Sequence, residues 1–142
     1  MKTLFLLLLI FTSALSCKSS DERNDTSQSN DLVGSWKLTE TKTSDGNSSN
    51  WVVATNIYII NFNNDNTFSR NDFASCGSGS YTITTDPTNQ AFKIITLTYS
   101  CNNNDFEHQF KSKYRIISIS GNSLETNNVS CIEECGQKYK KE

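Results

Sequence analysis

The chain predicts an all-β protein, an eight-stranded antiparallel up-and-down barrel, on three observations. From Leu32 onward, short stretches rich in Ile, Thr, Tyr and Phe alternate with clusters of Asn, Asp, Gly and Ser, the pattern of strands and turns. No segment of that region sustains a helical period. The connections Asn63-Asn64-Asp65-Asn66 and Gly121-Asn122 are tight-turn sequences, which join neighbouring strands antiparallel. A meander of eight such strands closes on itself because closure removes the exposed edges.

The first strand is expected over 34–42, opened by Gly34-Ser35-Trp36, and the second over 57–62, where Tyr58, Ile60 and Phe62 share one face. The third, 67–72, carries Phe68, and the fourth, 79–84, carries Tyr81 and Ile83. The fifth, 92–99, is a run of Ile, Thr, Leu and Tyr, and the sixth, 106–118, places Phe106, His108, Phe110 and Tyr114 on one face. The turn at Gly121-Asn122 leads to the seventh, 123–127, and the eighth is expected over 138–141. Candidate interior rings are Phe62, Phe68, Tyr81, Phe92, Phe106, Phe110 and Tyr114, enough to leave a narrow cavity.

Ahead of the barrel lie two segments of different character. Lys2 and the apolar run Leu4 to Phe11 read as a secretion signal over 1–16, with an apolar core too short to span a bilayer about 30 Å thick. Ala14-Leu15-Ser16-Cys17 resembles the lipobox of bacterial lipoproteins, in which the cysteine becomes the acylated first residue of the mature chain. Ala14-x-Ser16 also suits ordinary signal cleavage. Acylation of Cys17 leaves an even set of four cysteines, Cys76, Cys101, Cys131 and Cys135, suited to disulfides in an oxidising compartment. Residues 17–31 then form a polar tether, placing a barrel domain over 32–142 on the order of 20 Å from the membrane. Cys17-Lys18-Ser19-Ser20-Asp21-Glu22 resembles the acidic tag of surface-exposed lipoproteins of the Bacteroidetes. The expected address is the outer membrane, on its periplasmic face or at the cell surface.

Formal net charge is -2 for the whole chain, and loss of Lys2 with the signal makes it one unit more negative. Lys138, Lys140 and Lys141 are the one cluster of cations, a solvated chain end. Nucleic acid is therefore not an expected partner.

Leu32-Val33-Gly34-Ser35-Trp36 resembles the Gly-x-Trp motif that opens the first strand of the lipocalin-like family. Ile59-Ile60-Asn61-Phe62, Gly79-Ser80-Tyr81-Thr82-Ile83 and Cys135-Gly136-Gln137-Lys138-Tyr139-Lys140 are similar to small lipocalin-like domains of bacterial lipoproteins. The resemblance implies that Trp36 plugs the closed end of the barrel under a basic side chain of the last strand. The family's usual Arg is absent there, and Lys138 or Lys140 takes the position, with Lys140 assigned alongside Gly34 and Trp36. It also implies a membrane-anchored protein that binds a small apolar or amphipathic molecule.

Alternating strand direction puts the turns at 63–66, 86–90 and 121–122 beside Trp36. The loops at 44–56, 73–78, 100–105 and 128–137, with all four cysteines, then fall at the opposite end. Neighbouring positions on that rim favour Cys76 with Cys101 and Cys131 with Cys135, and the other two connectivities stay open. Four thiolates at one end would also suit zinc, but an oxidising compartment and the scatter of Cys76 and Cys101 over two loops favour disulfides. No metal or other cofactor is expected.

Residue parity supplies candidate ligand contacts. An inward Phe68 turns Arg70 and Asp72 inward, and His108 follows Phe106, Phe110 and Tyr114, so that Arg70, Asp72 and His108 would hold a polar head while Tyr58 and Tyr114 line the tail. The plainer reading is an Arg70–Asp72 pair on a solvated face and an ordinary His108. One histidine, no nucleophile elbow and no phosphate loop argue against an enzyme. Two functions are expected to compete: a carrier of a small hydrophobic ligand, and a non-enzymatic protein-interaction module of the envelope with a filled barrel. For the second, Trp51, Val52 and Val53 form an apolar cluster in a polar loop, and their alternative is a lid or short helix over the mouth.

Overall fold

The computed structural model describes residues 31–44, 49–73, 76–101, 111–132 and 135–142. Residues 1–30, with the expected signal peptide, Cys17 and most of the expected tether, lie outside the described residues, as do Phe106, His108 and Phe110. The strands are β1 (Gly34–Ser44), β2 (Ser49–Val53), β3 (Ile59–Phe62), β4 (Thr67–Arg70), β5 (Ser78–Thr85), β6 (Lys93–Tyr99), β7 (Lys111–Ser120), β8 (Ser123–Asn128) and β9 (Gly136–Lys141). All neighbours are antiparallel, each strand from β3 to β9 pairs with the next, and β9 returns to β1. The expected closed up-and-down barrel is therefore present.

The nine strands of the described residues fill eight staves because β2 and β3 share one edge of β1. Val53 pairs with Glu40, and Ile59 pairs with Lys37. Between them, Ala54 N–H donates to Thr39 O at 2.9 Å and Leu38 N–H to Tyr58 O at 2.9 Å, so Thr55, Asn56 and Ile57 loop out. This corrects the expected loop at 44–56. Without β2, the second half of β1 would expose unpaired backbone groups along that edge, and the β-prone Trp51-Val52-Val53 supplies their partners.

The three short turns and both ends of the domain lie at the Trp36 end. In the first turn Asn66 takes a left-handed φ of 62°, which asparagine tolerates. Asp65 accepts from the Thr67 hydroxyl at 2.6 Å and from its N–H at 3.0 Å, which holds its carboxyl below the usual range. In the second turn the buried Asp86 accepts from Thr88 N–H at 2.8 Å and Oγ1 at 2.6 Å, and from Arg115 Nε at 2.5 Å. The Thr88 bonds first, and then Arg115, hold its carboxyl down at about 2. Phe92 was expected inside but belongs to this turn, half-buried with its ring 5.8 Å from the Arg115 guanidinium, because Ile95, Leu97 and Tyr99 take the inward face of β6 and Phe92 falls on the other parity.

Trp36 and Leu32 are fully buried and plug this end. Trp36 Nε1–H donates to Leu32 O at 2.6 Å, and Lys141 Nζ sits 5.1 Å from the centre of the indole while reaching Asp31 O at 3.3 Å. The covering cation is thus Lys141, a correction to Lys140. Trp36 pairs with Lys141 and Lys37 with Lys140, and directly opposed residues share a face, so Lys141 points in with Trp36 while Lys140 points out. Gly34 has a φ of +134°, and a Cβ there would come 2.6 Å from Lys141 Cε. The glycine therefore serves both the backbone turn and the path of the lysine.

Candidate functional site

Both disulfides stand at the far end: Cys76 joins Cys101 across the loops that follow β4 and β6, and Cys131 joins Cys135 within the loop between β8 and β9. Their positions follow from topology, since β4 to β7 bring the first two cysteines onto neighbouring loops. Closing these loops restricts the unfolded chain and contributes about 2–4 kcal/mol for the longer one.

Below this rim the interior is packed. Phe62 meets Tyr81 edge-on at 5.1 Å, Phe68 meets Tyr99 at 5.0 Å, and Tyr58 meets Tyr139 at 6.0 Å. Around them Leu38, Ile60, Ile95, Leu97, Ile116 and Leu124 are buried. Among the described residues, a space bordered by Ile60, Phe62, Arg70, Ile95, Leu97, Tyr114, Leu124, Thr126 and Tyr139 holds about 20 Å³, room for about one water molecule. The Thr126 hydroxyl faces that space and is the one buried side-chain polar atom among the described residues without a protein partner.

Arg70 forms the floor of the mouth. Its inward direction follows from Phe68 two residues earlier, and its side chain is 7% exposed. Nε donates to Asp72 Oδ1 at 3.0 Å, Nη2 to Asp72 Oδ2 at 2.5 Å, and Nη1 to the Tyr99 hydroxyl at 3.0 Å. The guanidinium also lies 4.1 Å from the centre of the Tyr58 ring and 4.9 Å from that of Phe73. Burial alone would lower its pKa, but the bonds to Asp72 and the adjoining Tyr58 and Tyr99 raise it on balance. It is a permanent cation, held by a bidentate carboxylate and two rings.

A second polar chain runs beneath it. The Tyr58 and Tyr139 hydroxyls share a hydrogen bond of 2.7 Å, and Tyr139 donates onward to Gln137 Oε1 at 2.8 Å. Burial pushes Tyr58 up to about 12 and Tyr139 well above the ordinary tyrosine value. Both phenols therefore stay neutral at any physiological pH. Among the described residues no three His, Cys, Asp or Glu side chains converge as a metal site.

No protein-family model, curated protein or solved structure matches this chain.

Of the sequence-derived candidates, Arg70 bonds Asp72 and lies over the Tyr58 ring at the mouth floor, and Tyr114 borders the small space in the interior. His108 lies outside the described residues. Tyr99 and Tyr139, which hold this group together, were missed. Counting in twos along β6 from Ile95 and Leu97 finds Tyr99; Tyr139 becomes visible only once β9 is paired with β1.

Trp51, Val52 and Val53 form neither a lid nor a helix. In β2 they alternate, and Trp51 turns to the outer wall, where its ring crosses β1 and lies over Gly136 of β9. Lys138 Nζ is 4.0 Å and Lys42 Nζ 6.0 Å from the ring centre. A Cβ on Gly136 would come 2.6 Å from Trp51 Cη2, so this glycine is the seat of the indole. Val52 and Val53 remain exposed.

Proposed function

We propose that this protein is a lipid-anchored, non-enzymatic interaction module of the bacterial cell envelope, a lipocalin-like barrel that works through its surface instead of carrying a ligand. The observation that carries this reading is the packed interior among the described residues: about 20 Å³ of free space, against the roughly 300 Å³ or more of a small-molecule pocket. An apolar chain entering from the mouth would have to part Arg70 from Asp72 and displace the rings below, stranding a buried charge. The lipobox-like Cys17 and the paired disulfides support an envelope address.

The contact surface in this reading is the disulfide-held rim. Phe73, Val129 and the fully exposed Ile132 stand there with Val52. Beside them, Ser44, Asn128, Val129, Cys131, Ile132 and Cys135 border a surface groove of about 500 Å³. The chain enters the barrel at Leu32, at the opposite end, so a tether from Cys17 leaves the rim free to face a partner.

A photo-crosslinking residue placed at Phe73 or Ile132 in the native host is expected to give an adduct of one discrete mass, while the same residue at Thr82, on the outer face of β5, gives none. Absence of adducts from both rim positions, in a protein that still fractionates with the membrane, would count against the reading.

A further inference from the structure

The net negative charge of the chain hides an uneven distribution. Among the described strands, the outer faces of β3 to β6 present Asn, Ser, Thr and Ile; their charged residues are Arg70, which is interior, and Lys93, at the closed end. Lysines collect on the other half: Lys37 and Lys42 on β1, Lys111 and Lys113 on β7, Lys138 and Lys140 on β9. The carboxylates on those outer faces are Glu40, 3.2 Å from Lys138 Nζ, and Glu125, which pairs with Lys138 from β8.

Two details sharpen this on the flank formed by β9, β1 and β2. Lys37 and Lys140 are direct cross-strand partners, both exposed, an arrangement of like charges that weakens a sheet unless something anionic lies over it. Lys42 and Lys138 crowd a single indole. Apolar groups border the lysines: the Trp51 ring lies among them, and Val53 (77% exposed) and Ile57 (56% exposed) stand beside β1. An acidic protein surface would complement the lysines and leave those apolar groups uncovered. A bilayer interface takes both, with phosphates against the ammonium groups and the indole and aliphatic side chains at headgroup depth.

We propose that the β9–β1–β2 flank, centred on Lys37, Lys140, Trp51 and Val53, is a docking surface for an anionic phospholipid bilayer. The barrel then lies on its side against the membrane, with the uncharged β3–β6 wall outward and the rim open laterally. The lipid-anchor reading enters only by keeping a bilayer within reach, and the test removes it.

The chain from residue 17 onward, carrying Cys17→Ser so that no acyl chain forms, is sedimented with phosphatidylcholine vesicles, with and without about 40 mol% phosphatidylglycerol, at about 50 mM salt. Binding is expected to the anionic vesicles alone and to fall as salt rises. The Lys37→Gln/Lys140→Gln protein is expected to fold with undiminished stability, since a repulsive pair is removed, yet to bind about tenfold more weakly. Ser80→Glu/Thr84→Glu, which lowers the net charge by the same two units on the opposite wall, is expected to keep binding. Equal binding to both vesicle types, no binding to either, or equal loss in the two double variants would overturn the proposal. Capture of the chain by soluble polyglutamate with no vesicle binding would assign the flank to an acidic protein instead.

Discussion

Trp36→Ala is expected to destabilise the domain by about 3–5 kcal/mol, the range for emptying a fully buried indole site, measured by urea unfolding followed by circular dichroism. Three losses coincide there. The indole leaves a cavity at the end of the barrel where Leu32 also packs, the Leu32 carbonyl loses a donor at 2.6 Å, and Lys141 loses the face it covers. Trp36→Phe separates these contributions in part, since it keeps an aromatic face and most of the volume while removing the N–H donor and one ring of the indole; a cost of about 1–2 kcal/mol is expected. A Trp36→Ala protein within about 1 kcal/mol of wild type would mean that the plug does not hold the barrel end.

Asp72→Ala is expected to cost about 3 kcal/mol, for a reason independent of volume. The Arg70 side chain is 7% exposed and its carboxylate partner 28%, so removing Asp72 leaves a guanidinium with the Tyr99 hydroxyl as an acceptor at 3.0 Å and aromatic faces around it. Breaking a buried pair from one side is the expensive operation, whereas replacing both partners with apolar groups is often neutral. Arg70→Met combined with Asp72→Ala is therefore expected to recover most of the loss. Because Asp72 is partly hydrated, the single-variant cost falls at the lower end of the range for buried pairs. A double variant as unstable as Asp72→Ala alone would show that the site depends on the shape of Arg70 and not on its charge.

Much of the barrel was legible because its signals are local. Alternation along Tyr58, Ile60 and Phe62 and the turn residues at 63–66 and 121–122 act within one hairpin, and counting strands then assigns each loop to an end. The pairing of Cys76 with Cys101 followed from that count. What escaped depends on closure. Whether Lys140 or Lys141 covers Trp36 is decided by the register of β9 on β1, and a slip of one residue exchanges the inner and outer faces. Ser49–Val53 looked like loop because Ser, Asn and Gly surround it, and only the otherwise open edge of β1 makes it a strand. Gly136, read as part of the stretch after Cys135, acquires its meaning from a tryptophan two strands away.

The candidate site divides the same way. Arg70 could be turned inward from Phe68 alone, but its partners Tyr99 and Asp72 decide whether it offers a free cation to a ligand or spends its hydrogen bonds on the fold. The structure shows the second. Arg70 and Asp72, which suggested a head-binding cluster for a ligand, seal the mouth floor.

The central claim is that the barrel is filled, and a nuclear magnetic resonance titration of the mature protein with a long-chain fatty acid and with a neutral apolar probe tests it most directly. The account predicts no saturable shifts at the methyl groups of Ile60, Ile95, Leu97 and Leu124 or at the rings of Tyr58 and Tyr139, all of which border or underlie the 20 Å³ space. Saturable, stoichiometric shifts at those interior positions, with loss of the Arg70–Asp72 contact, would contradict it and restore the carrier.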